Sequence, residues 1–431
     1  MRTTSTQRAA RGTRFALLTC ALILLAATLP ALAALVVPAD VLAASPLPSP
    51  AGASVQPEPL ASPSAEPTPT VGVSCTLSPA VARYGEDVTV SGKVTPALPG
   101  ETVIVALGGV DVASASVDGE GRFEAVFTAE RGGEVVARLQ SNGTASAPRE
   151  LAVKPRVSFS YGTAIPFLKL PFRVTVRPAS FSGTLTVTLT HEKKVVYRAK
   201  KRVRNGAATF DLPMRGIGTF EVRTVVSSAD GLRGRSIGKT LRAKTRRLAV
   251  GSRGEHVRGV MSALKQLKIR VPSVGTTLTA ACADAVVAFQ KAYGLPRTYV
   301  FDNDDWRKLA AVKAVKPRYA QPYDHLEVDK RRQILMVVRG GAVRGLIAVS
   351  TGATGNTPEG SFRIQQKHPY TTSGYGGILF RTMGFYGNFA IHGYAPVPPY
   401  PASHGCVREP MWVADWVYTR TAIGERLYVY H

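Results

Sequence analysis

Short runs of apolar and β-branched residues, separated by turn residues, fill residues 71–241 and constrain the fold more than any other feature of the chain. Residues 102–106 read TVIVA and residues 184–189 read TLTVTL, which are compositions typical of strands. The dipeptide Asn142-Gly143 is typical of a hairpin turn. This part of the chain is therefore predicted to be β structure rather than a helical bundle.

Strands at this spacing favour small sandwiches of two sheets. We predict two immunoglobulin-like β-sandwiches in tandem, over residues 71–154 and 155–245. The chain has 431 residues, so the whole protein is expected to be multidomain and mainly β.

Charge is distributed unevenly between these two modules. Residues 72–153 carry ten acidic and six basic side chains, whereas residues 191–247 carry four acidic and sixteen basic ones. The whole chain has a formal net charge of +25. A basic face of this kind would attract anionic wall polymers or phospholipid headgroups, and a merely solvated surface explains it equally well.

The N-terminal segment has the composition of an export signal. Four arginines precede an apolar run over residues 15–37, which is also long enough to span a bilayer. Residues 1–44 are therefore either a cleaved signal peptide or an uncleaved anchor, and the membrane is a partner only in the second case. The rest of the chain is expected outside the cytoplasm, secreted or anchored and associated with the cell wall, which argues against nucleic acid as a partner. Residues 45–70, with eight of the thirty prolines, are predicted to be a linker.

Residues 246–312 change from strand periodicity to helical periodicity. The apolar residues of the first helix fall at i, i+3, i+4 and i+7: Val257, Val260, Met261 and Leu264. A second helix is expected to end at Gly294, which has the position of a C-cap, and a short third helix contains Trp306.

This helical segment resembles a known domain. The sequence GSRG at 251–254 and the run FQK followed by GLP within 289–296 resemble the three-helix peptidoglycan-binding domain of wall enzymes. The chain departs from that family at 299–301, where Tyr-Val-Phe replaces the usual Gly-x-Val, so this loop is expected to differ. The resemblance implies docking on muropeptides, and a helical spacer that binds nothing is the alternative.

Residues 322–431 return to strand patterns, with one helix expected near residues 410–421. His392-Gly393 is followed by nine residues that include four prolines, and then by SHGCVR at 403–408. Thiolate is the nucleophilic form of cysteine, and near neutral pH it requires a basic or cationic neighbour such as imidazole. We therefore predict that Cys406 is a nucleophile and that His392 takes its proton and later returns it to a leaving amine.

The residues around Cys406 suggest further roles. Gly405 allows close approach of the backbone, and the N–H groups of Gly405, Cys406 and His404 could form an oxyanion hole. Arg408 could hold the loop or meet a carboxylate.

Three other interpretations of this motif remain. His392, His404 and Cys406 could bind zinc, although no fourth ligand or Cys-x-x-Cys pair is visible. Cys406 could form a disulfide with Cys75 or Cys282, although the three cysteines beyond the N-terminal segment cannot all pair within the chain. The histidines could also be ordinary buried polar residues.

The motif HG…SHGCVR, preceded by VSTG at 349–352 and TPEGSF at 357–362, resembles the L,D-transpeptidase family, the YkuD-like catalytic domain. The resemblance implies that Cys406 accepts the acyl group, that His392 transfers the proton, and that the Gly393 carbonyl orients the imidazole. Other residues match the remaining motif positions: Ser403, His404, Gly405 and Arg408. Glu409-Pro410 departs from the family, in which an apolar residue is commoner. No metal and no cofactor are implied.

The function implied is acyl transfer on peptidoglycan stem peptides. Cys406 would attack the carbonyl of the third residue of a donor stem, expel D-Ala, and pass the acyl group to the side-chain amine of an acceptor stem. Hydrolysis of the same thioester would make the protein an L,D-carboxypeptidase, and a non-catalytic wall-binding scaffold is a further alternative. The two sandwiches are expected to act as a stalk.

Overall fold

The computed structural model describes residues 70–374 and 376–431, and the protein is mainly β, as predicted. The predicted signal or anchor, and the predicted linker up to residue 69, lie outside the described residues. In the described part, no helix is long and apolar enough to cross a bilayer.

The first module consists of a three-stranded sheet, in the order β1-β3-β6, and a five-stranded sheet, in the order β2-β8-β7-β4-β5. Its strands are β1 Gly72–Ser78, β2 Val81–Arg83, β3 Glu86–Thr95, β4 Thr102–Leu107, β5 Val110–Ser116, β6 Arg122–Ala129, β7 Gly133–Leu139 and β8 Arg149–Lys154. Strand β6 alternates between exposed and buried residues along its whole length, which is the period-two pattern of a strand with one buried face.

The second module also has two sheets, in the orders β13-β10-β9 and β12-β11-β14-β15. Its strands are β9 Arg156–Tyr161, β10 Lys169–Arg177, β11 Gly183–His191, β12 Lys194–Val203, β13 Ala207–Pro213, β14 Gly218–Val226 and β15 Arg235–Ala243. The buried apolar residues of both modules belong to one contiguous cluster. Two-sheet modules agree with the sandwich prediction, and the immunoglobulin-like assignment stays a prediction.

Three helices follow: α1 Glu255–Gln266, α2 Ala280–Tyr293 and α3 Asn303–Ala311. Helix α2 ends at Gly294, whose φ of 71° is left-handed, as its predicted C-cap position requires. These helices are not a separate body, because their core also contains apolar side chains of the C-terminal domain, among them Ile334, Met336 and Leu346. Leu346 exchanges backbone hydrogen bonds with the segment after α1, accepting from Arg270 at 3.0 Å and donating to Lys268 at 2.9 Å.

The C-terminal domain has a five-stranded sheet, in the order β18-β17-β16-β24-β19, and a four-stranded sheet, in the order β20-β21-β22-β23. Its elements are β16 His325–Asp329, β17 Ile334–Arg339, β18 Ala342–Ala348, β19 Gly360–Arg363, β20 Gln366–Thr372, β21 Ile378–Tyr386, β22 Phe389–Tyr394, β23 Val407–Pro410, α4 Met411–Thr419 and β24 Arg426–Tyr430. Along β17, Ile334, Met336 and Val338 pack toward the helices, whereas Leu335 and Val337 join a second core within the domain. Strand β17 is therefore buried on both faces.

Candidate active site

Two neighbouring strands bring the predicted catalytic residues together. Strands β22 and β23 pair in parallel, with His392 opposite Arg408. Cys406 leads into β23, two positions before Arg408, and its Sγ lies 3.6 Å from the carbonyl oxygen of Asn388 and close to the backbone of Ala390. The thiol therefore lies against the start of the strand that carries His392. The element that follows Cys406 is strand β23, and the helix expected there, α4, comes after it.

His392 is held as a neutral ring. Its side chain is buried, and its Nδ1 lies 3.1 Å from the carbonyl oxygen of Gly393, the contact that the family resemblance implies. A carbonyl can only accept, so Nδ1 carries the hydrogen and Nε2 is left as the basic nitrogen. Burial lowers the pKa of His392 to about 4, and the positive charge of Arg408 acts in the same direction.

Cys406 is held as a neutral thiol. Burial raises the pKa of Cys406 above its ordinary value, against the smaller lowering effects of the Ala390 backbone and of Arg408. Burial therefore favours the neutral form of both groups, and the transfer of the thiol proton to His392 stays a prediction. The arrangement suits a general base that takes the thiol proton during attack.

The turn before Cys406 is built around Ser403. The buried hydroxyl of Ser403 accepts a hydrogen bond from the Gly405 N–H at 3.0 Å and donates one to the Cys406 carbonyl. Gly405 has φ 136°, and a Cβ at this position would lie 2.5 Å from the ring of Phe389, so only glycine fits. The expectation that the Gly405 N–H serves an oxyanion hole needs correction, because this N–H is bonded inside the turn.

Residues 352–357 support the same turn from outside. Thr357 Oγ1 accepts from the Gly352 N–H at 2.9 Å and donates to the Gly405 carbonyl at 2.6 Å. Asn356 Nδ2 donates to the carbonyl of His404 at 2.8 Å, and the His404 side chain is exposed. Thr357 falls in the TPEGSF motif that carried the resemblance, but no role was predicted for it.

Lys330 was missed by sequence analysis. It lies in the turn between β16 and β17, which reads as a plain polar hairpin turn, yet its side chain is buried. Its Nζ donates to the carbonyls of Gly355 and Thr357 at 2.8 and 2.7 Å and lies 3.0 Å from Glu359 Oε1. No local sequence signal marks this role, because all three partners come from a different loop.

Arg408 and Glu409 alternate across β23. The guanidinium of Arg408 lies 4.5 Å from the ring centre of Tyr394, and its backbone exchanges two hydrogen bonds of 2.9 Å with Ser350. Arg408 is thus held by a ring and a neighbouring strand rather than by a carboxylate. Glu409, the residue that departs from the family pattern, is fully buried, and neither carboxyl oxygen has a hydrogen-bond partner. Burial raises its pKa well above the ordinary value.

The alternatives for the cysteines can be compared with the structure. Cys75, Cys282 and Cys406 are all free thiols, so the predicted disulfide alternative is wrong. In residues 70–374 and 376–431, no group of three or more His, Cys, Asp or Glu side chains is arranged to hold a metal ion.

Comparisons with known proteins agree on one family. Residues 323–429 match the family model of the L,D-transpeptidase catalytic domain, YkuD. An L,D-transpeptidase structure from Xylanimonas cellulosilytica is 30% identical, with 43% of this chain and 98% of that chain covered and a TM-score of 0.42. One from Stackebrandtia nassauensis is 23% identical, covering 43% and 95% of the two chains with a TM-score of 0.30. No curated protein matches the chain.

Proposed function

Because residues 323–429 match the family model of the L,D-transpeptidase catalytic domain, we propose that this chain cross-links the third residues of peptidoglycan stem peptides through a thioester on Cys406. The observation that carries the proposal is the parallel pairing of β22 with β23, which sets the Cys406 thiol against the strand that holds a neutral His392.

The proposed reaction has two steps, acylation of Cys406 and transfer of the acyl group to an acceptor amine. In the first, His392 Nε2 takes the Cys406 proton as sulfur attacks the carbonyl of the third stem residue, and the proton passes to the amine of the departing D-Ala. In the second, the side-chain amine of an acceptor stem attacks the thioester and gives up a proton to His392, which returns it to the sulfur. The free thiol is restored, and no oxidant, reductant or metal is consumed.

Product analysis tests the proposal. Purified protein is incubated with tetrapeptide muropeptides and the products are separated by mass. Dimers joined between third residues support transfer, whereas trimmed tripeptides alone would show that the protein is an L,D-carboxypeptidase. A Cys406→Ala variant that still forms dimers would refute the role of the thiol.

The setting of this reaction is also proposed. The basic, apolar N-terminal segment supports export, and the wall is where stem peptides occur. The helical unit is proposed to contact peptidoglycan as well, on the strength of its sequence resemblance. The two β modules would then hold the catalytic domain away from the membrane.

A further inference from the structure

A cleft of about 690 Å³ lies where the end of helix α2 meets the C-terminal domain. Its walls also include the segment that joins the helices to that domain, the turn between β16 and β17, and the end of β24. This volume is in the range of pockets that hold small ligands or a few units of a polymer. The cleft is separate from Cys406 and His392, neither of which lines it.

The cleft is strongly basic. Five cationic residues line it, namely Lys291, Lys316, Arg318, Arg331 and Arg332, together with one acidic residue. The carboxylate of that residue, Asp329, already accepts a hydrogen bond from the Arg332 backbone at 2.8 Å and pairs with its Nε at 3.5 Å. Within the described residues, none of the other four cations forms an ion pair with an acidic side chain, although Arg318 contacts the main-chain oxygen of His431. Like charges gathered in one concave wall produce a potential that attracts anions.

Two of these cations are held in fixed positions. The Arg318 guanidinium lies 4.5 Å from the ring centre of Tyr430, and its Nη1 donates to the main-chain oxygen of His431 at 3.4 Å. Lys291 is buried, with its ammonium donating to the Val349 carbonyl at 2.7 Å. Burial and the nearby Arg297 lower the pKa of Lys291 to about 7, against the smaller raising effect of Asp284.

We propose that this cleft binds the oxyanion groups, phosphate or carboxylate, of an anionic wall polymer. Guanidinium groups recognise both oxyanions through paired N–H donors, which is why arginine suits this role. The turn that presents Arg331 to the cleft also contains Lys330, which supports the loop around Cys406. A polymer bound here would therefore lie against the same turn that supports the catalytic loop.

Binding measurements test this proposal without any enzymatic assay. The full chain is titrated at physiological salt with a short linear polyphosphate and, separately, with trigalacturonate, so that the two arms distinguish phosphate from carboxylate. An Arg318→Gln/Arg331→Gln variant is expected to bind the preferred probe at least tenfold more weakly. The matched control, Arg83→Gln/Arg122→Gln, removes the same charge from exposed positions on β2 and β6 of the more acidic first module and is expected to bind like the unmodified protein.

Equal weakening in both double variants would overturn the proposal, since the signal would then come from net charge. Absence of saturable binding to either probe would also overturn it. If the double variant does not fold, Arg331→Gln alone serves, because this side chain is exposed in a turn. Failure here leaves the transpeptidase proposal untouched, because Cys406 takes no part in the measurement.

A second, independent observation concerns the loop of residues 395–402, which joins His392 to the Cys406 turn. Four of its eight residues are prolines, which have no N–H to donate, so carbonyl groups supply most of its contacts, and the Ala402 N–H donates to Thr351 at 2.9 Å. The carbonyl of Val397 accepts from Tyr299 Oη at 3.2 Å, and that of Pro399 accepts from Arg297 Nη1 at 2.8 Å. Both donors belong to the loop between α2 and α3.

Tyr299 adopts a conformation that favours glycine. Its φ is 59°, and the family that the helices resemble usually has glycine at this position. The strained tyrosine supplies a phenol that reaches the catalytic loop, which glycine could not do. Building on the proposed function, we infer that Tyr299 and Arg297 are positioning residues for the loop that connects the two catalytic side chains.

Two substitutions at Tyr299 test this inference. Tyr299→Phe removes only the hydroxyl, and Tyr299→Gly also removes the backbone strain. Both are expected to lower kcat for transfer about tenfold with KM changed less than twofold, because small displacements of reacting groups are costly. Tyr299→Phe is not expected to lower the melting temperature, whereas Tyr299→Gly also loses the packing of the ring against the core. Tyr293→Phe is the matched control, since its hydroxyl donates to Lys313 rather than to this loop.

The rate of Cys406 alkylation by iodoacetamide provides a readout that does not depend on stem peptides. A displaced loop is expected to change this rate and its pH profile in both Tyr299 variants but not in Tyr293→Phe. Unchanged alkylation and unchanged kcat in the Tyr299 variants would refute the positioning role. An unmodified protein that alkylates normally but forms no product from stems would instead count against the proposed function.

Discussion

Desolvation sets the chemistry of individual residues in this site. Burial favours the neutral form of both His392 and Cys406. It lowers the pKa of His392 and raises the pKa of Cys406. A thiolate–imidazolium pair would need solvation or a nearby carboxylate to stabilise it. The Gly393 carbonyl orients the ring without supplying a negative charge, so the proton moves only as the thiol attacks.

The pH dependence of acylation follows from this state. A general base works when it is deprotonated, so lowering the pKa of His392 to about 4 extends activity to lower pH. We expect kcat/KM to stay nearly constant from about pH 8 down to about pH 5 and to fall only as pH approaches 4. A half-maximal point near 6.5, the ordinary histidine pKa, would contradict this account. Circular dichroism at each pH serves as the folding control.

Glu409 is expected to destabilise the native state. A buried carboxyl group without a partner pays a desolvation cost, so Glu409→Leu should raise the free energy of unfolding at pH 7 by about 1–3 kcal/mol. Because the folded pKa is raised, the stability of the unmodified protein falls as pH rises from about 4.5 toward that raised pKa. Urea denaturation at pH 4 and pH 7 checks this. A gain that is as large at pH 4 as at pH 7 would contradict the titration of Glu409.

The sequence identified these residues to different degrees. Cys406 and His392 were singled out because they fall in a recognisable motif, and their roles as nucleophile and base stay predictions. The use of the Gly405 N–H by Ser403 was not, because it depends on the conformation of a short turn. Lys330 was not predictable either, because its partners lie in a loop that follows two further strands.

At the scale of elements, the alternation of apolar residues predicted where strands occur, but it did not predict which strands pair. The pairing of β22 with β23 in parallel requires the chain to return through the loop of residues 395–402, and no local pattern encodes such a pairing. The turn after β16 is a second example. Its polar sequence predicts an exposed turn, and yet its Lys330 side chain supports the loop that holds the Cys406 turn.

Lys330→Met tests the structural role of that turn. The change keeps the length of the side chain and removes three polar contacts, so we expect a loss of stability of about 2 kcal/mol, since buried acceptors are left unpaired. Transfer activity should fall as well, because the Thr357 loop that holds Gly405 loosens. Thermal unfolding and product formation provide the measurement. Lys194→Met, the same change at an exposed position on β12, should leave both unchanged.

In the whole molecule, the helical unit and the C-terminal domain form one folded body rather than two. The sequence contained a sign of this, because ILMVV at 334–338 is a continuous apolar run rather than an alternating one. Such runs are typical of strands buried on both faces. One face of β17 is apolar and is buried against the three helices. Its residues are Ile334, Met336 and Val338.

Fragments test this organisation. A fragment of residues 246–431 should unfold in one cooperative transition. A fragment of residues 322–431 should aggregate or bind a hydrophobic dye, because it exposes the apolar face of β17 that the helices cover. Calorimetry and dye fluorescence distinguish the two. Independent folding of the shorter fragment with native-like stability would contradict a shared core.

The central claim is that the sulfur of residue 406 carries the donor acyl group. Intact-mass measurement after incubation with a tetrapeptide stem tests it most directly. We predict an adduct equal to the stem minus D-Ala, located on the peptide that contains Cys406 and absent from Cys406→Ala. Stem peptides processed without any such adduct, or an adduct that persists in Cys406→Ala, would contradict the claim.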